Sequence, residues 1–548
     1  MSTSTRAMAL RLESFPNEIL TGIAELLDFS HPPSLVAFAQ TSKRHYAISS
    51  RFLVRTVKIT LGERYRLIRD VQEWERMLLR DSAFTYVRRL IIYYSILDPK
   101  SVPVNSYLAL QPCERYDDTA RGCWDLYRCW RTEAADEPAR NEDWQTVARL
   151  VGQLPGLTDM FYVHPGQFPP CILEIIHKEL PQCRLHHYTF HLKDPNGLSN
   201  YERALAKSPC LYSIGNRGHA RDDMSWALAR RHAPRLKRVC VWLYDDISRD
   251  DGIVNYDGVN GATPLEHFQL GTLEATDLPL GLPFRVVSSI AFGDLSALRV
   301  LKLDTVIDYQ TLPAPDNFPS LVTLTLTCTT SPVPDPYWDT LLAFLRNLPR
   351  IHTLQLMEWK RSVSIVPGLS PNLRKLDLST HLFCRAPLRS DHIQQLSDLC
   401  PHLEDLTIEI RRSRGDTSEV ALYRALGRLP RLQRLTLKLD ASPPPVIYIT
   451  EADGTLTRDT SVEPWFDAWD TQYLGAGLHP HRQGHVRDTL VNSAIDHVLA
   501  CSIFEVLDGA KHNITGGKVL PLELLEVGAN YFCFLTSLSW ELKASLDA

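Results

Sequence analysis

The chain has no hydrophobic run long enough to cross a bilayer. Its most membrane-like stretch, Tyr531 to Trp540, covers ten residues and contains Thr and Ser, against the roughly 18 that a span needs. Met1 to Arg11 offers a four-residue apolar run before the next charge, too short for the core of a secretory signal. A soluble protein without a membrane partner is expected, in the cytoplasm, the nucleus or both, since no compact run of five or more Lys and Arg marks a nuclear address. Twelve cysteines scatter from Cys113 to Cys533 without one C-x-x-C pair. That spacing argues against a disulfide framework or zinc ribbon and for reduced, small apolar core residues. Without a signal segment, the sequon Asn513-Ile514-Thr515 reads as chance.

Catalytic and ligand-binding signatures are equally scarce. There is no G-x-S-x-G elbow and no G-x-x-x-x-G-K-[ST] loop, and Gly516-Gly517-Lys518 lacks the upstream glycine. The chain is therefore read as a non-enzyme, although a triad assembled from distant residues stays open at this level. His479, His481, His485 and His497 have no Cys or carboxylate completing a ligand spacing, and Cys113, Cys123 and Cys129 lack finger spacing. Asp245 to Gly252 lacks the alternating oxygens and closing Glu of a calcium loop. No metal or cofactor is expected. His186, His187 and His191 sit on and beside an expected strand, so at least two should alternate outward. With 59 Lys+Arg against 64 Asp+Glu the formal charge is −5, which excludes a non-specific polyanion binder and leaves no nucleic-acid partner.

What is present is 44% hydrophobic residues over 548 positions, enough for three or four domains or for one repeat array. Residues 1–9 are expected to be disordered. Leu12, Phe15, Ile19, Leu20, Ile23, Leu26 and Leu27 recur at helical steps, so a helix is expected from near Pro16, a residue that suits a first turn. After a break at 28–33, Leu35, Phe38 and Ala39 restart a stripe toward Tyr46 and Ile48. So short a segment cannot bury both helix faces internally.

Over residues 10–55 the chain resembles an F-box: Phe15-Pro16-Asn17-Glu18-Ile19-Leu20, then Ile23, Leu26 and Leu27, then Leu35, Phe38, Thr41-Ser42-Lys43-Arg44 and Tyr46. It departs from the family pattern in Phe15 for Leu and Ser42 for Cys. The resemblance implies binding to the Skp adaptor, and through it to a cullin, by Phe15, Pro16, Glu18, Ile19, Leu20, Ile23, Leu27, Leu35, Phe38, Lys43 and Tyr46.

The remainder repeats one template, an aliphatic residue followed by apolar residues three and five positions on. It reads Leu298/Leu301/Leu303, Leu321/Leu324/Leu326, Ile351/Leu354/Leu356, Leu373/Leu376/Leu378, Leu403/Leu406/Ile408 and Leu432/Leu435/Leu437. Weaker copies are Leu157/Met160/Tyr162, Leu185/Tyr188/Phe190, Leu211/Ile214, Leu236/Val239/Val241 and Leu265/Phe268/Leu270, with Val87/Leu90/Ile92 and Leu522/Leu525/Val527 outermost. The eleven starts from Leu157 to Leu432 average about 27 residues apart, inside the leucine-rich-repeat range. Helical stripes ending in Leu348-Pro349, Cys400-Pro401 and Leu429-Pro430 precede several strands. The fold class expected is thus an α/β repeat, a small N-terminal helical F-box followed by an irregular leucine-rich-repeat solenoid, or horseshoe. A doubly wound sheet would need Gly-rich phosphate turns that are absent.

The expected divisions are 56–156 as a first repeat with a long insertion, 157–440 as repeats, 441–485 as a loop insertion, and 486–548 as a C-terminal helix with a terminal repeat. Taken together, the chain resembles the F-box/leucine-rich-repeat substrate receptors of Skp-cullin-F-box ubiquitin ligases, which serve ubiquitin-dependent degradation. Target-facing candidates are the outward strand positions Trp242, His267, Gln269, Lys302, Gln355, Asp405, Glu409, Arg434 and Lys438. The alternative is a repeat scaffold whose F-box-like helices only cap the array.

Overall fold

The computed structural model describes residues 12–61, 64–80, 82–94, 141–164, 167–190, 199–218, 229, 232–243, 275–278, 295–306, 314–328, 336–348, 350–359, 368–380, 388–441, 448–450, 456–458, 492–514 and 519–530. The chain forms two compact units, Met1–Thr276 with Ile290–Gly293, and Asp277–Ser289 with Asp294–Ala548.

The first unit opens with three helices, α1 (Asn17–Ser30), α2 (Pro32–Gln40) and α3 (Lys43–Leu53). The stripe from Leu35 to Ile48 is therefore broken in two. The break has a local cause: Ser42 is extended and its hydroxyl accepts the His45 backbone N–H at 3.1 Å, so it caps the start of α3. A serine at the position where the family pattern carries Cys thus does the work of a helix N-cap. Leu20, Ala24, Leu35 and Phe38 form a small core, against which Phe15, Ile23, Leu27, Ile48, Phe52 and Leu53 pack half-buried.

A parallel sheet follows, in the order β1 (Thr56–Leu61), β2 (Arg89–Tyr94), β3 (Asp159–Val163), β4 (Arg184–His187), β5 (Leu211–Gly218) and β6 (Arg238–Leu243). Helices α4 (Arg64–Arg80), α5 (Asn141–Gly152), α6 (Pro170–Lys178) and α7 (Asn200–Ala206) lie between strands in the chain. The range 56–156 holds two strands rather than one repeat. The strand missed in the sequence is β1, and Val54, Val57 and Ile59, all buried, fit the template that was sought only from Val87 onward. A short strand, β7 (Ala275–Leu278), falls where the chain passes from one unit to the next.

In the second unit β8 (Val300–Val306), β9 (Thr323–Cys328), β10 (Thr353–Trp359), β11 (Lys375–Thr380), β12 (Asp405–Arg411), β13 (Arg434–Asp440) and the late strand β16 (Leu524–Asn530) pair in parallel. Helices α8 (Pro336–Asn347), α9 (Ser390–Leu399) and α10 (Thr417–Gly427) precede β10, β12 and β13, and α11 (His497–His512) precedes β16. The template leucines stack by register: Leu324, Leu354, Leu376, Leu406 and Leu435 are matched neighbours, and all are buried. Each fully buried Leu stabilises by about 1.5 to 3 kcal/mol. Of the expected 441–485 insertion, the described residues are Ala441 and a small antiparallel pair, β14 (Tyr448–Thr450) and β15 (Leu456–Arg458). Residues 1–9, the 97–141 insertion up to residue 140, the copy at Leu265/Phe268/Leu270 and the histidines at 479–485 lie outside the described residues.

Candidate functional site

The helical module presents two sets of side chains. Leu20, Leu35 and Phe38 lie in its core, so these three of the eleven expected adaptor contacts hold the module together rather than meet a partner. Around them, Ile19 is 50% exposed, Leu26 64%, Val36 45% and Tyr46 44%. Pro16, Glu18 and Lys43 are also exposed, while Phe15, Ile23 and Leu27 are half-buried. Arg44, passed over as a site residue in the sequence, joins the ends of the motif. Its Nε and Nη2 donate to Asn17 Oδ1 at 2.9 and 2.7 Å, and Nη2 donates to the Phe15 carbonyl at 2.8 Å. The planar guanidinium suits such a fork, and it fixes the turn before α1 against α3.

The cap reading required this module to close the first strand of the sheet. The open edge of β1 is instead met by α4. Trp74 Nε1 donates to the Lys58 carbonyl at 2.8 Å, and Asp70 Oδ2 accepts the Thr60 N–H at 3.2 Å. Alternate residues of a strand aim their backbone groups the same way, so these bonds satisfy the edge opposite β2.

The outward face of the second unit is a polar lattice. Lys302, Thr325, Gln355, Asp377, Thr407, Thr436 and Glu526 share one register row. Thr325 Oγ1 donates to Gln355 Oε1 at 3.3 Å, Gln355 Nε2 to Asp377 Oδ2 at 3.0 Å, and Thr436 Oγ1 to Glu526 Oε2 at 3.3 Å. Asp405 is matched with Arg434, and Glu409 with Lys438. Lys375 Nζ stands 3.5 Å from Asp405, and Lys438 Nζ 3.9 Å from Asp377. Six of the nine target-facing candidates, Lys302, Gln355, Asp405, Glu409, Arg434 and Lys438, therefore come together on one face. Trp242 lies on β6 in register with Arg217. His267 and Gln269 lie outside the described residues.

The first unit differs on the equivalent face. His186 and His187 are both buried, against the expectation that they alternate outward. Leu185 pairs with Met160, not with Leu157, so the template had been set three residues late and His187 takes a core position beside Tyr162. His186, on the other face, stacks on Phe161 at 4.3 Å. His186 Nδ1 is 2.7 Å from Ser213 Oγ and its Nε2 is 3.1 Å from Asp159 Oδ1. Arg184 Nη2 donates to the same carboxylate at 2.8 Å. Burial alone would raise the Asp159 carboxyl, but hydrogen bonds from His186 and Arg184 hold it well below the usual carboxylate range. Burial pushes the His186 imidazole below its ordinary value despite that carboxylate. Ser213, His186 and Asp159 thus align like a triad, but each is about 2% exposed. They act as a polar staple across β3, β4 and β5.

No family model matches the chain, and no curated protein matches it either. Among solved structures it is similar to the Rad7 and Elc1 complex in yeast, with 15% identity, coverage of 72% of this chain and 87% of that one, and a TM-score of 0.34. It is also similar to the TLR13–ssRNA13 complex, with 13% identity, coverage of 71% and 55%, and a TM-score of 0.28. The protein is a mixed α/β chain built on parallel sheets.

Proposed function

We propose that this protein is a substrate receptor of a Skp-cullin-F-box ubiquitin ligase, with the helical module holding the Skp adaptor and the polar face of the second unit holding the target. The observation that carries the reading is a module with its own core that leaves Ile19, Leu26, Val36 and Tyr46 exposed while α4, not the module, closes the β1 edge. A helix pair serving only as a cap would spend its apolar side chains on the strand it covers. The chain's contribution is positional, raising the effective concentration of target lysines near the transferring subunits. It has no active site of its own in this reading, and it works in the cytoplasm or nucleus.

The test is binding of the purified Skp adaptor to wild type and to Ile19→Asp, with circular dichroism confirming the fold. Ile19 is half-exposed, so the substitution should leave stability within about 0.5 kcal/mol and weaken adaptor binding by tenfold or more, on the order of 1.4 kcal/mol. A folded wild type that does not bind the adaptor leaves the scaffold reading.

A further inference from the structure

The two ends of the sheet strands are treated differently. At β1 the outward backbone groups are taken by Trp74 and Asp70. At β16, no strand among the described residues pairs with the edge opposite β13. Leu524 N–H donates to the Gln433 carbonyl at 3.1 Å, so Leu524, Glu526 and Gly528 aim their backbone groups at β13. Leu525, Val527 and Ala529 aim theirs at the open edge.

The side chains agree with an edge awaiting another strand. The core-side residues Leu525 and Val527 are only half-buried, whereas their register partners Leu435 and Leu437 are fully buried. On the outward side Leu524 is 53% exposed, and Glu523 and Glu526 are exposed as well. A row of backbone donors and acceptors is matched only by another extended backbone. Half-covered Leu525 and Val527 call for aliphatic residues at every second position of that backbone. The carboxylates of Glu523 and Glu526 call for basic residues on its other face.

We propose that β16 is a strand-addition site. Its occupant is an extended segment of a partner protein in which aliphatic residues alternate with Lys or Arg, joining the sheet beside Leu525–Ala529. A second copy of this chain fits less well, because pairing β16 with itself gathers the Glu523 and Glu526 carboxylates of both copies into one short interface, in a chain already at −5. The site adjoins the polar face, since Leu524 and Glu526 continue the rows of Arg434 and Thr436. It does not depend on the adaptor reading.

The probe is a labelled seven-residue peptide alternating Val and Lys, titrated into the full chain by fluorescence anisotropy, with an alternating Val and Glu peptide as its charge control. Val527→Pro removes one outward N–H while leaving the bonds to β13, a change an edge strand tolerates. It should weaken Val/Lys binding about tenfold. Glu526→Lys, which leaves the backbone intact, should move the preference toward the Val/Glu peptide. Loss in the first variant and reversal in the second is the expected result. Failure of the folded wild type to bind the Val/Lys peptide overturns the proposal, as does binding that neither variant changes. A concentration-dependent dimer that Val527→Pro abolishes overturns it in favour of a second copy.

Discussion

His186 shows how one side chain couples the sheet of the first unit to pH. Its folded-state pKa lies below the ordinary 6.5, and that of Asp159 lies below 3.8. The unfolded chain therefore binds more protons than the folded one as pH falls, and stability declines in that direction. The full contribution is present above about pH 6.5. It erodes first as the unfolded imidazole protonates and again below about pH 3.8 as the unfolded carboxyl does. Hydrogen exchange of the β3 to β5 amides, corrected for intrinsic rates, should quicken between pH 7 and pH 5, and His186→Gln should flatten that slope. Asp159→Asn should cost about 1 to 3 kcal/mol, because His186 and Arg184 lose an ionised acceptor, a loss read from urea unfolding at neutral pH. None of this was legible in the sequence, where a run of two histidines suggested outward alternation. Only the register of β4 against β3 reveals that both faces there are buried.

At the scale of elements, close approach sets the packing of α11 on α10. A Cβ on Gly427 would collide with the Leu507 carbonyl and with Ala510 Cβ, so Gly427→Ala should destabilise this contact by about 1 to 3 kcal/mol. Faster exchange confined to α10 and α11 would be the sign of it. Lys511 donates from Nζ to the Leu429 carbonyl at 2.9 Å at the same contact, and burial lowers its amine to about 8. The strands of the second unit were readable from leucine spacing because the same template recurs on six successive strands. The helix starts were harder, since caps such as Ser42, His31 and Asp416 act through geometry rather than hydropathy. The module's surface was half legible. Helical periodicity marks which residues are apolar, but Leu20 and Ile19 are both apolar, and only the packing of α1 on α3 separates core from surface.

At the scale of the whole molecule, a repeat stack is held by nearest neighbours, so its ends are its weakest parts. The amides of β16, whose core-side residues are half-covered, should exchange faster than those of β9 to β12, and a bound Val/Lys peptide should slow them. The β1 end is different, and its closure by Trp74 and Asp70 carries a historical meaning as well as a structural one. The repeats begin at Thr56 with their edge already finished, so the helices ahead of them owe the array nothing. Such a junction is where a gene can exchange one leading segment for another without re-solving the fold behind it.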